Sequence, residues 1–145
     1  MPSINFFEED IRFKLKNKTG IKQWIKATIE AEGYKLKELN YIFCSDQYLL
    51  QINQQYLDHD TYTDIVTFDN SEKKGLIEGD VFISIDRIRE NAIKFDSGEV
   101  NELHRVIIHG ALHLLGYQDK KPESKKIMTG KEDHYLTARN FTLDR

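Results

Sequence analysis

One cysteine, Cys44, stands in 145 residues. That excludes an intramolecular disulfide framework, fits a reducing compartment, and leaves any bound metal to other side chains. No apolar run approaches the roughly 20 residues of a membrane span. The stretch Met1 to Phe7 runs straight into Glu8-Glu9-Asp10, without the basic flank and long apolar region of a signal peptide. A cytoplasmic protein with no membrane partner is expected. No repeat, linker or low-complexity tract breaks the chain, and 39% hydrophobic with 31% charged residues is too apolar a mixture for disorder. Positive charge is missing in sum as well: a formal net charge of -3 argues against coating of nucleic acid through charge alone.

What is there is unevenly spread. Residues 1–37 carry eight Lys/Arg against five Asp/Glu and residues 120–145 seven against four, whereas residues 38–119 carry six against fifteen. Such charges ordinarily solvate a surface. Here the acidic excess falls in the segment that also holds the chemistry. Ile4–Phe7 and Ile11–Phe13 read as a pair of short strands, and Ile21, Trp24, Ile25, Thr28 and Ile29 repeat at helical spacing up to Gly33. Leu39–Cys44 is aromatic and β-branched, hence a strand, and Ser45-Asp46 supplies an N-cap for a helix through Leu49, Leu50, Ile52 and Tyr56. Asp58-His59-Asp60-Thr61 breaks the pattern before two more strands, Asp64–Phe68 and Gly79–Ile85. Asp86 is placed to cap a helix through Ile88, Ala92 and Ile93, closed by Asp96-Ser97-Gly98. The strongly apolar helix Val100–Leu115 follows, stopped by Gly116, and Pro122 opens a last helix. The expected fold is α+β: a single domain over residues 1–145, a small mixed β-sheet packed with helices, with metal-binding histidines on a central helix.

His109 and His113 lie four residues apart. On a helix their imidazoles point within roughly 40° of each other, one turn apart. Gly116 then ends the helix and lets the chain turn back, so that Asp119 can bring an oxygen to the same point. Two imidazoles and a carboxylate leave one position open, as in a catalytic zinc site rather than a structural one. The residue after the first histidine is Gly110, where H-E-x-x-H metalloproteases carry their general base, so peptide hydrolysis by that route is excluded. Gly110 and Ala111 instead suit close packing of the helix on a neighbour.

The run His109-Gly-Ala-Leu-His113-Leu-Leu-Gly-Tyr-Gln-Asp119 resembles the H-G-x-L-H-L-x-G-Y-D-H signature of the YbeY family of bacterial endoribonucleases and rRNA maturation factors. Further segments are similar in the right order: Asn53–Tyr56 followed by Asp60 and Thr63–Phe68, then Glu78–Ser84, and after the motif Met128 with Glu132. The resemblance implies a zinc-dependent endoribonuclease acting on single-stranded rRNA and the small ribosomal subunit, not on DNA, with one ion held by His109, His113 and Asp119. Its rivals are a weakly catalytic ribosome-assembly factor and a metal hydrolase of another substrate. Two positions depart from the pattern. Asp119 replaces a third histidine, which makes the site harder and brings manganese or another divalent ion into contention. Leu57 stands where the family carries an arginine implicated in activity, and a leucine cannot stabilise phosphate charge. Arg87, Arg89 and Arg105 are candidates to replace it, although helical arginines usually sit in surface ion pairs.

The sequence names no general base. His104, about 140° around the helix from His109, faces elsewhere. His59 and His134 have no visible partner. Asp64, Asp69 and Asp80 either line the cleft or cap turns, Trp24 at its helical spacing belongs to the core, and the Lys-rich ends are candidates to hold RNA.

Overall fold

Residues 2–57, 63–139 and 141 are described by the structure, a computed structural model. Strands β1 (Ser3–Glu8), β2 (Lys35–Cys44), β3 (Ile65–Asp69) and β4 (Leu76–Ser84) form one sheet in the order β1-β2-β4-β3. β1 and β4 each run parallel to β2, and β3 closes the far edge antiparallel to β4. Helices α1 (Lys18–Ala31), α2 (Asp46–Leu57), α3 (Ile85–Lys94), α4 (Glu99–Leu114) and α5 (Pro122–Thr137) complete a single α+β domain.

Side-chain alternation along the strands divides the interior. Leu39, Tyr41 and Phe43 of β2 and Ile77, Val81 and Ile83 of β4 enter the main core with the buried faces of α1, α4 and α5. Cys44, Val66, Phe68 and Phe82 point to the other face, under Leu49 and Ile52 of α2. α4 runs through the main core: Val106, Ile107, Ile108, Ala111 and Leu112 are all buried. Each of the Val, Ile and Leu side chains stabilises the fold by about 1.5–3 kcal/mol relative to exposure.

Ile11 and Phe13 form no strand. They pack irregularly against the main core, the Phe13 ring 5.0 Å from that of Phe43, so their alternation reflects burial and not ladder pairing. The partner of β1 is β2 instead. β2 itself starts four residues before Leu39, because a bulge between Leu36 and Glu38 puts Leu36 and Leu39 on one face although they are out of phase in sequence. β4 ends at Ser84, and Ile85 begins α3. There the cap is Ser84, whose hydroxyl accepts from the Arg87 amide at 3.1 Å. Asp86 does not cap its own helix; its carboxylate accepts from the Asp46 amide at the start of α2, 2.9 Å away. Ser45 caps α2 as expected, accepting from the Tyr48 amide. His59 and Asp60 lie outside the described residues.

Candidate metal centre

Gly110 is what lets α4 lie close on the sheet. A Cβ there would stand 2.8 Å from Val81 Cγ1 and 2.9 Å from Ile65 Cδ1. One residue earlier, His109 emerges at the edge of a cavity, and His113 lies one turn on, the two rings 4.5 Å apart and nearly perpendicular. Gly116 takes φ 104°, its amide donates to the His113 carbonyl and that of Tyr117 to the Leu112 carbonyl, the paired bonds of a Schellman stop. This turn does two things. It leaves the Tyr117 carbonyl facing His113, whose Nδ1 lies 3.0 Å from it, and it sends the chain back so that Asp119 reaches both histidines.

Asp119 Oδ2 is 3.3 Å from His109 Nε2 and 3.4 Å from His113 Nε2. Tetrahedral bonds of about 2.0–2.1 Å separate neighbouring ligand atoms by about 3.3–3.4 Å, so these spacings suit a small divalent ion. All the candidate ligand atoms lie within 4.8 Å of one another. Both Nδ1 atoms are engaged, that of His113 by the Tyr117 carbonyl and that of His109 by Glu132 Oε2 at 2.5 Å, which leaves both Nε2 lone pairs for a metal. The residues therefore fit the group the motif implies.

Glu132 has no role that local sequence spacing gives it, yet it joins the whole arrangement. It is buried on α5, accepts from His109 through one oxygen and from Arg105 Nη1 through the other at 2.8 Å, and Arg105 also reaches Asp133 at 2.6 Å. A signal was present: Glu132 falls in phase with the buried Met128, Tyr135 and Leu136, and an acid on an apolar stripe needs a buried partner. Tyr117 is held from a distance too, its hydroxyl donating to Glu32 at the end of α1, where Tyr135 and Lys131 also donate.

Electrostatics separate the two imidazoles. Burial pulls His109 down, but the hydrogen bond and charge of Glu132, helped by Asp119 and Asp64, outweigh it and leave its pKa raised. Burial and the neighbouring His109 together hold His113 below its ordinary value despite Asp119. Asp64, on the same cavity, is raised by burial against the opposing pull of His109, and Glu102 is raised by burial and by Asp64.

Apart from Asp64 and Arg105, the other candidate residues among those described lie elsewhere. Buried His104 accepts at Nδ1 from Arg139 and contacts the rings of Trp24 and Phe141. Trp24 is core and donates to the Tyr135 carbonyl. Arg87 pairs with Asp46 and Glu90, Arg89 with Glu99, and of the three arginines only Arg105 lines the cavity. Asp80 accepts from Asn40 and Asn70, Asp69 from the Ser71 amide, and His134 packs on Tyr135.

A family model described as Endoribonuclease YbeY matches residues 3–140. The chain belongs to the YbeY endoribonuclease family. An Endoribonuclease YbeY of Cytophaga hutchinsonii is 54% identical over 96% of this chain and 97% of its own length, and one of Karelsulcia muelleri is 52% identical over 92% and 93%. A solution structure from Thermotoga maritima superposes with a TM-score of 0.64 at 27% identity, covering 92% of this chain and 87% of that one. Within this YbeY chain, Leu57, at the position of the expected arginine, is the last residue of α2. Among the described residues no helix is long and apolar enough to cross a membrane.

Proposed function

We propose that this chain is a zinc-dependent endoribonuclease that cuts single-stranded rRNA of the small ribosomal subunit in the cytoplasm, in rRNA maturation and ribosome quality control, with His109, His113 and Asp119 as the metal ligands. The observation that carries the reading is the convergence of Asp119 Oδ2 on two Nε2 atoms whose Nδ1 partners are already engaged. A bound divalent ion supplies Lewis acidity toward a phosphoryl oxygen and toward water. Glu132 holds His109 in the tautomer that presents Nε2, and the Tyr117 carbonyl does the same for His113. Asp119 lowers the charge of the filled site and keeps manganese in contention with zinc. Arg105 offers the cavity a cation, oriented by Glu132 and Asp133.

The test is metal content and RNA cleavage of His109→Ala/His113→Ala protein purified without added metal. Loss of both is expected; retention of stoichiometric metal together with cleavage overturns the assignment. A weakly catalytic ribosome-assembly factor is the second reading. Leu57 in place of an arginine favours it, as does the pairing of Arg105 with two carboxylates, which mutes its charge toward phosphate. Single-turnover cleavage of an rRNA precursor separates the two: cleavage abolished by chelator and by Asp119→Ala rejects the assembly-factor reading.

A further inference from the structure

Phe95 closes α3 with its backbone fixed on both sides. Its amide donates to the Asn91 carbonyl, Asp96 donates to Ile93 and Ser97 to Ala92, and Asp96 takes φ 51°, the left-handed step of a doubly hydrogen-bonded helix end. The ring so anchored is 61% exposed. It lines the same cavity of about 570 Å³ as His109, Asp119, Arg105 and Lys125, and Lys94 Nζ sits 5.5 Å from its centroid. An exposed apolar ring gains from covering by a flat apolar face, and binding does not have to order its backbone.

We infer that Phe95 is a stacking platform for one unstacked nucleobase of the RNA strand, placed beside the metal residues so that the adjoining phosphodiester lies in their cavity. The inference rests on the endoribonuclease reading above. The endoribonuclease reading selects this occupant: a base stacked on an aromatic ring carries a phosphate on either side, and although Asp64, Glu102, Asp119 and Glu132 also line the cavity, Arg105 and Lys125 do so too and Lys94 lies over the ring itself. With the Lys94 ammonium on one face, the base takes the other. Single strands supply unstacked bases and duplexes do not, so such a platform favours a single-stranded substrate. The neighbouring Ile93, 83% exposed, does not line this cavity and serves as the apolar control.

The test is equilibrium binding of zinc-loaded protein to a short, unstructured, labelled RNA on ice, its integrity checked by gel, for wild type, Phe95→Ala, Phe95→Trp and Ile93→Ala. Phe95→Ala is expected to bind roughly five- to hundredfold more weakly, with Phe95→Trp and Ile93→Ala near wild type. Replacing nucleotides one at a time by abasic sites finds one position at which wild type loses affinity and Phe95→Ala loses none further. Binding of Phe95→Ala within twofold of wild type, or an equal response to every abasic position, overturns the stacking. Ile93→Ala losing as much as Phe95→Ala also overturns it, in favour of a general apolar surface. Wild-type protein that binds through Phe95 but never cuts defeats the nuclease reading alone, whereas cutting with unchanged Phe95→Ala binding defeats only the stacking.

Discussion

Glu132→Gln isolates what the carboxylate behind His109 contributes. Glu132 uses its two oxygens for two donors, His109 Nδ1 at 2.5 Å and Arg105 Nη1 at 2.8 Å. Glutamine keeps the shape but has one acceptor and one amino group, so one of the two donors meets another donor. If the amino group faces His109, the imidazole is driven to the tautomer with its proton on Nε2, the atom the metal needs. If it faces Arg105, a part-buried guanidinium contact becomes repulsive. Loss of such an outer-shell carboxylate lowers metal affinity about 10–100-fold, which corresponds to about 1.4–2.7 kcal/mol. The pH dependence has a definite sign. Glu132 also holds the pKa of His109 up, so in wild type a proton competes with the metal more strongly as pH falls, and the variant escapes part of that competition. The deficit of Glu132→Gln is therefore greatest near pH 8 and shrinks toward pH 6. Competition for zinc against a chromophoric chelator at both pH values reads it, with melting of the metal-free proteins as the control for folding. Affinity within twofold of wild type at pH 8, or a deficit that widens on acidification, would refute the reasoning.

Asp119→Ala removes one of three ligands and should lose stoichiometric zinc on gel filtration, while Asp119→His should raise the preference for zinc over manganese by about tenfold; one-to-one zinc in Asp119→Ala would take Asp119 out of the ligand set. Burial, reinforced by the Arg139 charge, pushes His104 down to about 4, so its contribution is intact above its ordinary value and is lost as pH falls from about 6.5 toward 4. Urea unfolding should show wild type losing about 2–3 kcal/mol relative to His104→Gln between pH 7 and pH 4.5, and parallel profiles would contradict the buried neutral imidazole. Gly110→Ala gains about 1 kcal/mol in helix propensity and loses about 2 kcal/mol through overlap with Val81 and Ile65, so a net fall in Tm of roughly 2–4 °C is expected by calorimetry. A rise in Tm would show that α4 is not seated that closely.

Local periodicity made the two histidines, the Gly116 stop and the return to Asp119 legible in sequence, since each depends only on helix geometry and on glycine's access to positive φ. The apolar stripes of α1 and α4 marked the core for the same reason. β2 was read short because a bulge moves Leu36 onto the face of Leu39, and a bulge is a property of the paired strands rather than of either one. Ser84 displaced Asp86 as the cap of α3 because Asp86 is drawn to the start of α2, 40 residues away.

The site divides along the same line. The sequence by itself determined the three candidate ligands, all within eleven residues of chain, and the absence of a protease base at Gly110. Tertiary structure alone decided that His109 presents Nε2, because Glu132 reaches it from 23 residues away, whereas the nitrogen that His113 presents is set within its own turn by the Tyr117 carbonyl. It also decided that Phe95 shares the cavity of His109. Ligand spacing and the orientation of His113 follow from one helix and one turn, whereas the tautomer of His109, the charge around it and the shape of the cavity arise only where separate elements pack together.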